Sequence, residues 1–327
     1  MSESLNAALY KALADDPRRY LIGEDLADPY GGAFKVTRGL STAFPGQVLS
    51  TPISEAAIVG LANGLALAGS SAIVEIMFAD FATLAFDQLV NFAAKSVTMY
   101  GHRVPMPLLV RCPTGGNRGY GPTHSQSPQK HFLGVPSLDV YELTPFHDTT
   151  DLVAGMLATG RPGLLFEDKV LYTERMFTGD DLLRHDLVGD WPGWARTTVV
   201  GPGDDYAVLA PGGLSSRALA AMRSALLTHE LSGALLTPAR LYPLDLAPVL
   251  ATVAAARRVL VVEDGPPGAG WATEVAFQLQ TALWGRLRRP VRVLQAADAV
   301  VPAARHLERS VLVQAPAIAA ELLREDA

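Results

Sequence analysis

The sequence predicts an α/β protein of two doubly wound domains with mainly parallel sheets. Short runs rich in aliphatic and β-branched residues alternate with segments whose apolar residues recur at helical spacing. This alternation occurs twice, on either side of a stretch rich in Trp, Pro and Gly. The 327 residues suffice for about two domains at roughly 150 residues each.

In the first set, strands are predicted at residues 20–23, 48–50, 72–76, 108–111, 138–142 and 163–167. Ile58, Leu61, Leu65 and Leu67 mark one helix between them, and Leu84, Phe86, Leu89, Val90 and Ala93 another. Such connections predict right-handed βαβ crossovers around a parallel sheet. The stretch 189–203 has the composition of a linker. Beyond it, strands are predicted at 207–210, 234–236, 259–263 and 291–294, with helices near 215–227, 246–257 and 271–283. The expected organisation is a first domain over 1–188, a linker over 189–203 and a second domain over 204–327. No internal repeat or low-complexity segment interrupts it.

Composition narrows the function. A hydrophobic fraction of 49% with 18% charged residues describes a globular protein with ample cores. The formal net charge of −6 gives no overall attraction for nucleic acid or an anionic membrane surface. The longest apolar stretch, 59–79, is broken by Asn63, Ser70, Ser71 and Glu75, unlike a membrane span of about 20 residues. Residues 1–16 are acidic and amphipathic where a signal peptide would be basic and then apolar, so the cytoplasm is the expected compartment. Cys112 is the only cysteine. It excludes an internal disulfide and any multi-cysteine metal site, and reads as a small packed thiol.

Four segments carry candidate chemistry. Thr51-Pro52-Ile53-Ser54-Glu55 seats a carboxylate at the mouth of a helix, just after a short strand. On its own, Glu55 also reads as a first-turn glutamate stabilising the helix dipole behind a Ser54 cap. Gly23-Glu24-Asp25 precedes it, and Glu75-Ile76-Met77-Phe78-Ala79-Asp80-Phe81 follows. Next comes Thr123-His124-Ser125-Gln126-Ser127-Pro128, behind the glycine-rich stretch 115–121, where small residues let backbone approach a ligand. There is no Walker loop, zincin motif or Gly-x-Ser-x-Gly elbow. Gly201-Pro202-Gly203 and Gly268-Ala269-Gly270 are too short to cradle a phosphate.

In this order, the four segments resemble the β subunit of the thiamine-diphosphate-dependent decarboxylating component of 2-oxo acid dehydrogenases, the pyruvate and branched-chain type. The resemblance is strongest over 21–172, where Tyr30-Gly31-Gly32-Ala33-Phe34-Lys35-Val36-Thr37 and Phe86-Asp87-Gln88 also fit. It continues through Val262-Glu263-Asp264-Gly265 to Ala299-Val300-Val301-Pro302. It implies a thiamine pyrimidine-binding domain followed by a transketolase C-terminal-like domain that mainly builds subunit contacts.

The resemblance also assigns roles. Glu55 would hydrogen-bond the far ring nitrogen of the aminopyrimidine, where partial burial lifts a carboxyl pKa toward that task. Phe81, with Met77 nearby, would pack against the pyrimidine, and Glu24 would support the cofactor site. Core packing at a strand end and a solvated strand-end charge are the alternatives for these residues. His124 would lie beside the reactive thiazolium and assist transfer, while Lys130 and His131 read as surface charges. The family's Gly-Asp-Gly diphosphate segment is missing from this chain. No metal ligand is therefore expected here, and an α subunit would hold the diphosphate and magnesium, as an α2β2 assembly that passes its acyl unit to a lipoyl carrier domain. A split transketolase-like enzyme using an aldehyde or acyl carrier protein, and a non-catalytic scaffold, remain alternatives. The family's structural potassium position corresponds here to Thr159 and Arg161, so Arg161 is expected to donate to the ion's carbonyls or to point into solvent.

Overall fold

The computed structural model describes residues 1–201 and 203–324. Pro202 of the expected linker and the last three residues of the expected second domain lie outside the described residues. The strands are β1 Arg19–Glu24, β2 Val48–Thr51, β3 Ser71–Glu75, β4 Leu108–Thr114, β5 Asp139–Glu142, β6 Gly163–Asp168, β7 Leu183–Val188, β8 Trp194–Val199, β9 Tyr206–Leu209, β10 Gly233–Pro238, β11 Arg240–Tyr242, β12 Arg258–Glu263 and β13 Arg292–Gln295. They form two sheets among the described residues, ordered β11-β5-β6-β4-β3-β1-β2 and β13-β12-β9-β10-β8-β7.

Pairing from β5 through β2 in the first sheet is parallel throughout. The central strands β3, β4, β5 and β6 are covered on both faces and buried at every position, and β3, β4 and β6 accordingly read as mainly apolar runs. Ile22, Val74, Val110, Leu164 and Phe166 join one core, and Leu21, Ile73, Leu109 and Leu165 the core on the opposite face. This is the period of two expected of strands. Cys112 is fully buried, and burial pushes its thiol pKa up.

Three departures from the sequence expectations have local causes. First, the stretch 189–203 is not all linker. Residues 194–199 are β8, paired antiparallel with β7 and with β10 in the second sheet, and the Pro192-Gly193 turn signal joins two strands of a hairpin. Second, β11 leaves the second half of the chain to pair antiparallel with β5 in the first sheet. Third, the segment holding Leu84 to Ala93 is not one regular α-helix. It runs as a 3₁₀ turn over Ala79–Ala85 and a π turn over Gln88–Ala93. The wider turn brings Leu89 and Ala93 inside while Leu84 and Phe86 stay exposed.

Candidate functional site

The parallel strands of the first sheet all end along one edge, where open α/β sheets place their ligands. Glu24 is the last residue of β1. Glu55 begins the Glu55–Leu67 helix four residues after β2. Met77, Phe78 and Phe81 follow β3, His124 lies in the connection after β4, and Lys169 immediately follows β6. The fold thus brings every predicted site residue to the same edge.

Glu24 and Glu55 are each 6% exposed. Burial raises the Glu24 carboxyl pKa above its ordinary value, and the nearby Glu55, Asp25 and Glu75 add to the shift, while a hydrogen bond from the Ser54 backbone N–H opposes it. Ser54 therefore does not cap the helix through its side chain. Its main chain joins the two glutamates. Oε1 of Glu24 is a buried oxygen without a partner, and two close carboxylates in this state fit a ligand that brings its own proton donors.

An aromatic cluster lies beside them. His124 meets Phe78 edge-on with ring centroids 4.7 Å apart and Phe81 at 5.2 Å. Phe78 also contacts Phe34 at 6.1 Å and Tyr120 at 5.9 Å. Phe81 is half-buried and packs against the main core. Phe78, which the sequence reading passed over, touches more of the cluster. Its position three residues before Phe81 was the available signal. Met77 is half-buried.

Beneath this layer lies a charge network that sequence reasoning also missed. Arg111, fully buried on β4, binds Glu75 on β3 and makes a two-pronged contact of 2.8 and 2.6 Å with Glu167 on β6. Tyr172 donates to Glu167 at 2.6 Å, and the Ala33 N–H donates to Glu75 at 2.7 Å. Burial holds the Glu75 carboxyl above its ordinary pKa even beside Arg111. A Cβ on Gly32 would lie 2.9 Å from the Glu75 carboxylate, and the φ of this residue is +71°. Glycine is therefore required where the 30–37 loop reaches the network.

The His124 loop is held from several sides. The Lys169 ammonium donates to the His124 carbonyl at 3.0 Å. Asp80 accepts from the Gln126 backbone at 3.2 Å and its side chain at 2.8 Å, and Glu308 accepts from the Gly119 N–H at 3.0 Å. The close backbone approach expected of the glycine-rich stretch is made to the protein itself. A Cβ on Gly116 would lie 2.4 Å from Leu312 and 2.9 Å from Glu308. Lys130, read as a surface charge, reaches the carbonyls of Pro266 and Gly268 at 3.3 Å and so ties the two sheets together. His131 is exposed, as a surface position should be, and its remaining contact with the protein, then the charge of Lys130, lower its pKa.

Arg161 corrects its expectation. It neither replaces an ion at backbone carbonyls nor points freely into solvent, but pairs with the buried Asp139 at 2.7 Å. Among the described residues, no group of three His, Cys, Asp or Glu side chains is arranged to hold a metal ion.

Residues 1–174 match the family described as transketolase, pyrimidine binding domain, and residues 195–318 the transketolase C-terminal domain. The chain is 33% identical over 306 residues to 3-methyl-2-oxobutanoate dehydrogenase subunit beta of Mycobacterium tuberculosis, covering 93% of this chain and 86% of the relative. It is 29% identical to the mitochondrial pyruvate dehydrogenase E1 component subunit beta-1 of Arabidopsis thaliana, covering 95% and 85%. It is also 29% identical to acetoin:2,6-dichlorophenolindophenol oxidoreductase subunit beta of Cupriavidus necator, covering 97% and 94%. A solved structure titled split gene transketolase, inactive beta4 tetramer, shares the fold with a TM-score of 0.70 at 19% identity, covering 98% and 95%.

Proposed function

Because the chain belongs to the family of 2-oxo acid dehydrogenase β subunits, we propose that it supplies the pyrimidine-binding half of a thiamine-diphosphate site, for decarboxylating a 2-oxo acid. An α partner supplies the diphosphate and magnesium half, and a lipoyl carrier domain receives the acyl unit. The reading rests on the buried pair Glu24 and Glu55, one with an unpartnered oxygen, at the ligand-binding edge of the sheet.

Thiamine diphosphate bound against Glu24, Glu55, Met77 and Phe81 would supply the nucleophilic carbon and the electron sink that decarboxylation of a 2-oxo acid needs. Glu55 holds the proton at the far ring nitrogen of the pyrimidine. Its place at the start of a helix keeps the carboxyl fixed. Glu24, linked to Glu55 through the Ser54 N–H, keeps this corner negative and rigid. Phe81 and Met77 form an apolar wall that excludes water from the pyrimidine face. His124, standing edge-on to Phe78 and Phe81, exchanges a proton with the acyl unit as it leaves for the carrier.

The half-site needs a cover. Ile53 is 80% exposed beside Glu55, and Leu61, Leu84 and Phe86 are exposed on the same helix and the segment packed against it. Grouped exposed apolar side chains of this kind suit a protein partner. No described helix is long and apolar enough to cross a membrane, and we assign the complex to the cytoplasm.

The test is to purify the chain with its α partner and to measure carbon dioxide release from pyruvate and branched 2-oxo acids, with acetoin oxidation as a separate arm. Release is expected only from the pair, and the chain alone should bind the cofactor too weakly for calorimetry. Micromolar binding by the chain alone would overturn the half-site. Acetoin oxidation without any decarboxylation would move the assignment to hydroxyketone chemistry.

A further inference from the structure

Lys169 is fully buried, and nothing in the proposed chemistry accounts for it. A lysine is almost never found in that state without a partner. Its ammonium donates to the His124 carbonyl at 3.0 Å and stands 5.4 Å from the centre of the Phe78 ring. Its own carbonyl accepts from Arg118, in the same loop, at 2.6 Å. One residue at the end of β6 therefore grips the His124 loop at two points.

The charges facing it come from every element around it. Asp168 precedes it on β6, Asp80 comes from the segment after β3, and Glu308 from the Arg305–Val311 helix, while Arg118 opposes them. Asp80 and Glu308 each give one oxygen to the loop, at Gln126 and Gly119, and each keeps the other oxygen buried and unpartnered. A charged ammonium satisfies this cage by attraction through space and by the bond to the carbonyl. A neutral amine leaves two buried carboxylates without a counter-charge.

We propose that Lys169 is a positioning residue that fixes His124 for acyl transfer, and that the loop loosens when the ammonium loses its proton. The inference rests on the transfer role of His124 proposed above. Burial lowers the lysine pKa to about 8, with Asp168, Asp80 and Glu308 pulling the other way. The device therefore works at neutral pH and fails on the alkaline side.

Hydrogen exchange of the assembled complex, corrected for intrinsic rates, tests the positioning without relying on turnover. In the parent, amides of loop 115–126 should lose protection as pH rises through about 8, while those of β4 and β6 hold theirs. Lys169→Met should raise loop exchange at least tenfold at pH 7, remove its pH dependence, and lower kcat for transfer more than it changes KM. Glu308→Gln retains an acceptor for Gly119 and removes one stabilising charge. It should move the loss of protection to lower pH, and it provides the test if the methionine variant does not assemble. Unchanged loop protection in Lys169→Met, or an unmoved midpoint in Glu308→Gln, would overturn the proposal. If His124→Ala left transfer intact while these exchange results held, the role of His124 would fail and the clamp would stand.

Discussion

Replacing Glu55 with glutamine keeps the side-chain volume and removes one negative charge from a buried corner. Glu55 is 6% exposed and its charge helps hold the Glu24 carboxyl above its ordinary pKa. Two opposing stability effects follow. Losing a negative charge at a helix N-terminus costs about 0.3–1 kcal/mol, and relieving the repulsion with Glu24 returns an amount of similar size. Net stability should therefore stay within about 1 kcal/mol of the parent. Activity has no such compensation. A positioned acid or base contributes about 10²–10⁴ in rate, or about 2.7–5.4 kcal/mol at roughly 1.36 kcal/mol per decade. Single-turnover carbon dioxide release by the assembled complex at saturating cofactor should fall by at least that lower factor, with the melting temperature almost unmoved. Decarboxylation within a few-fold of the parent, or a large loss of stability, would return Glu55 to a helix-stabilising role.

Two further substitutions probe other layers of the site. His124→Ala should slow transfer to the carrier more than decarboxylation read with a small artificial electron acceptor, and equal losses in both assays would refute its place beside the acyl unit. Arg111→Met strands two buried carboxylates, and breaking a buried pair by removing one partner costs about 3–5 kcal/mol, or about 6 °C or more in melting temperature at roughly 2 °C per kcal/mol. Glu75 already has a raised carboxyl pKa, and the substitution raises it further. The penalty is absent below the ordinary carboxyl pKa of about 4.3 and grows as pH rises above it. The melting deficit should thus be larger at pH 8 than at pH 5, and a deficit independent of pH would contradict the network.

The central strands were legible because each is buried on both faces, so sequence alone had to spell out an apolar run at β3, β4 and β6. The β7–β8 hairpin was not. Its strands LRHDLV and WARTTV carry charge and alternate in burial at one side of the sheet, and their joining turn looks like linker composition. β11 has only three residues, and its partner β5 lies about a hundred positions earlier. No local pattern encodes such a pairing. Glu24, Glu55, Phe81 and His124 were singled out as candidates through the order of their segments, whereas Phe78 and Lys169 acquire their meaning only from neighbours brought by other strands.

The buried charges follow the same logic. Glu75 ends β3, Arg111 stands in the middle of β4 and Glu167 lies next to the end of β6, and charges inside otherwise apolar strands were a readable anomaly. Its significance depends on strand order, since β3, β4 and β6 are adjacent although residues 138–142 intervene in sequence. Such a network is a poor source of net stability, because desolvation offsets most of the attraction. Its geometry is what the site uses. Arg111 ties three neighbouring strands together, the Ala33 N–H brings the 30–37 loop onto Glu75, and Tyr172 carries the contact on to Phe34 at 5.0 Å. From there the aromatic layer reaches Phe78 and His124. Loosening the charge network should therefore disturb the floor under His124 before it unfolds the domain.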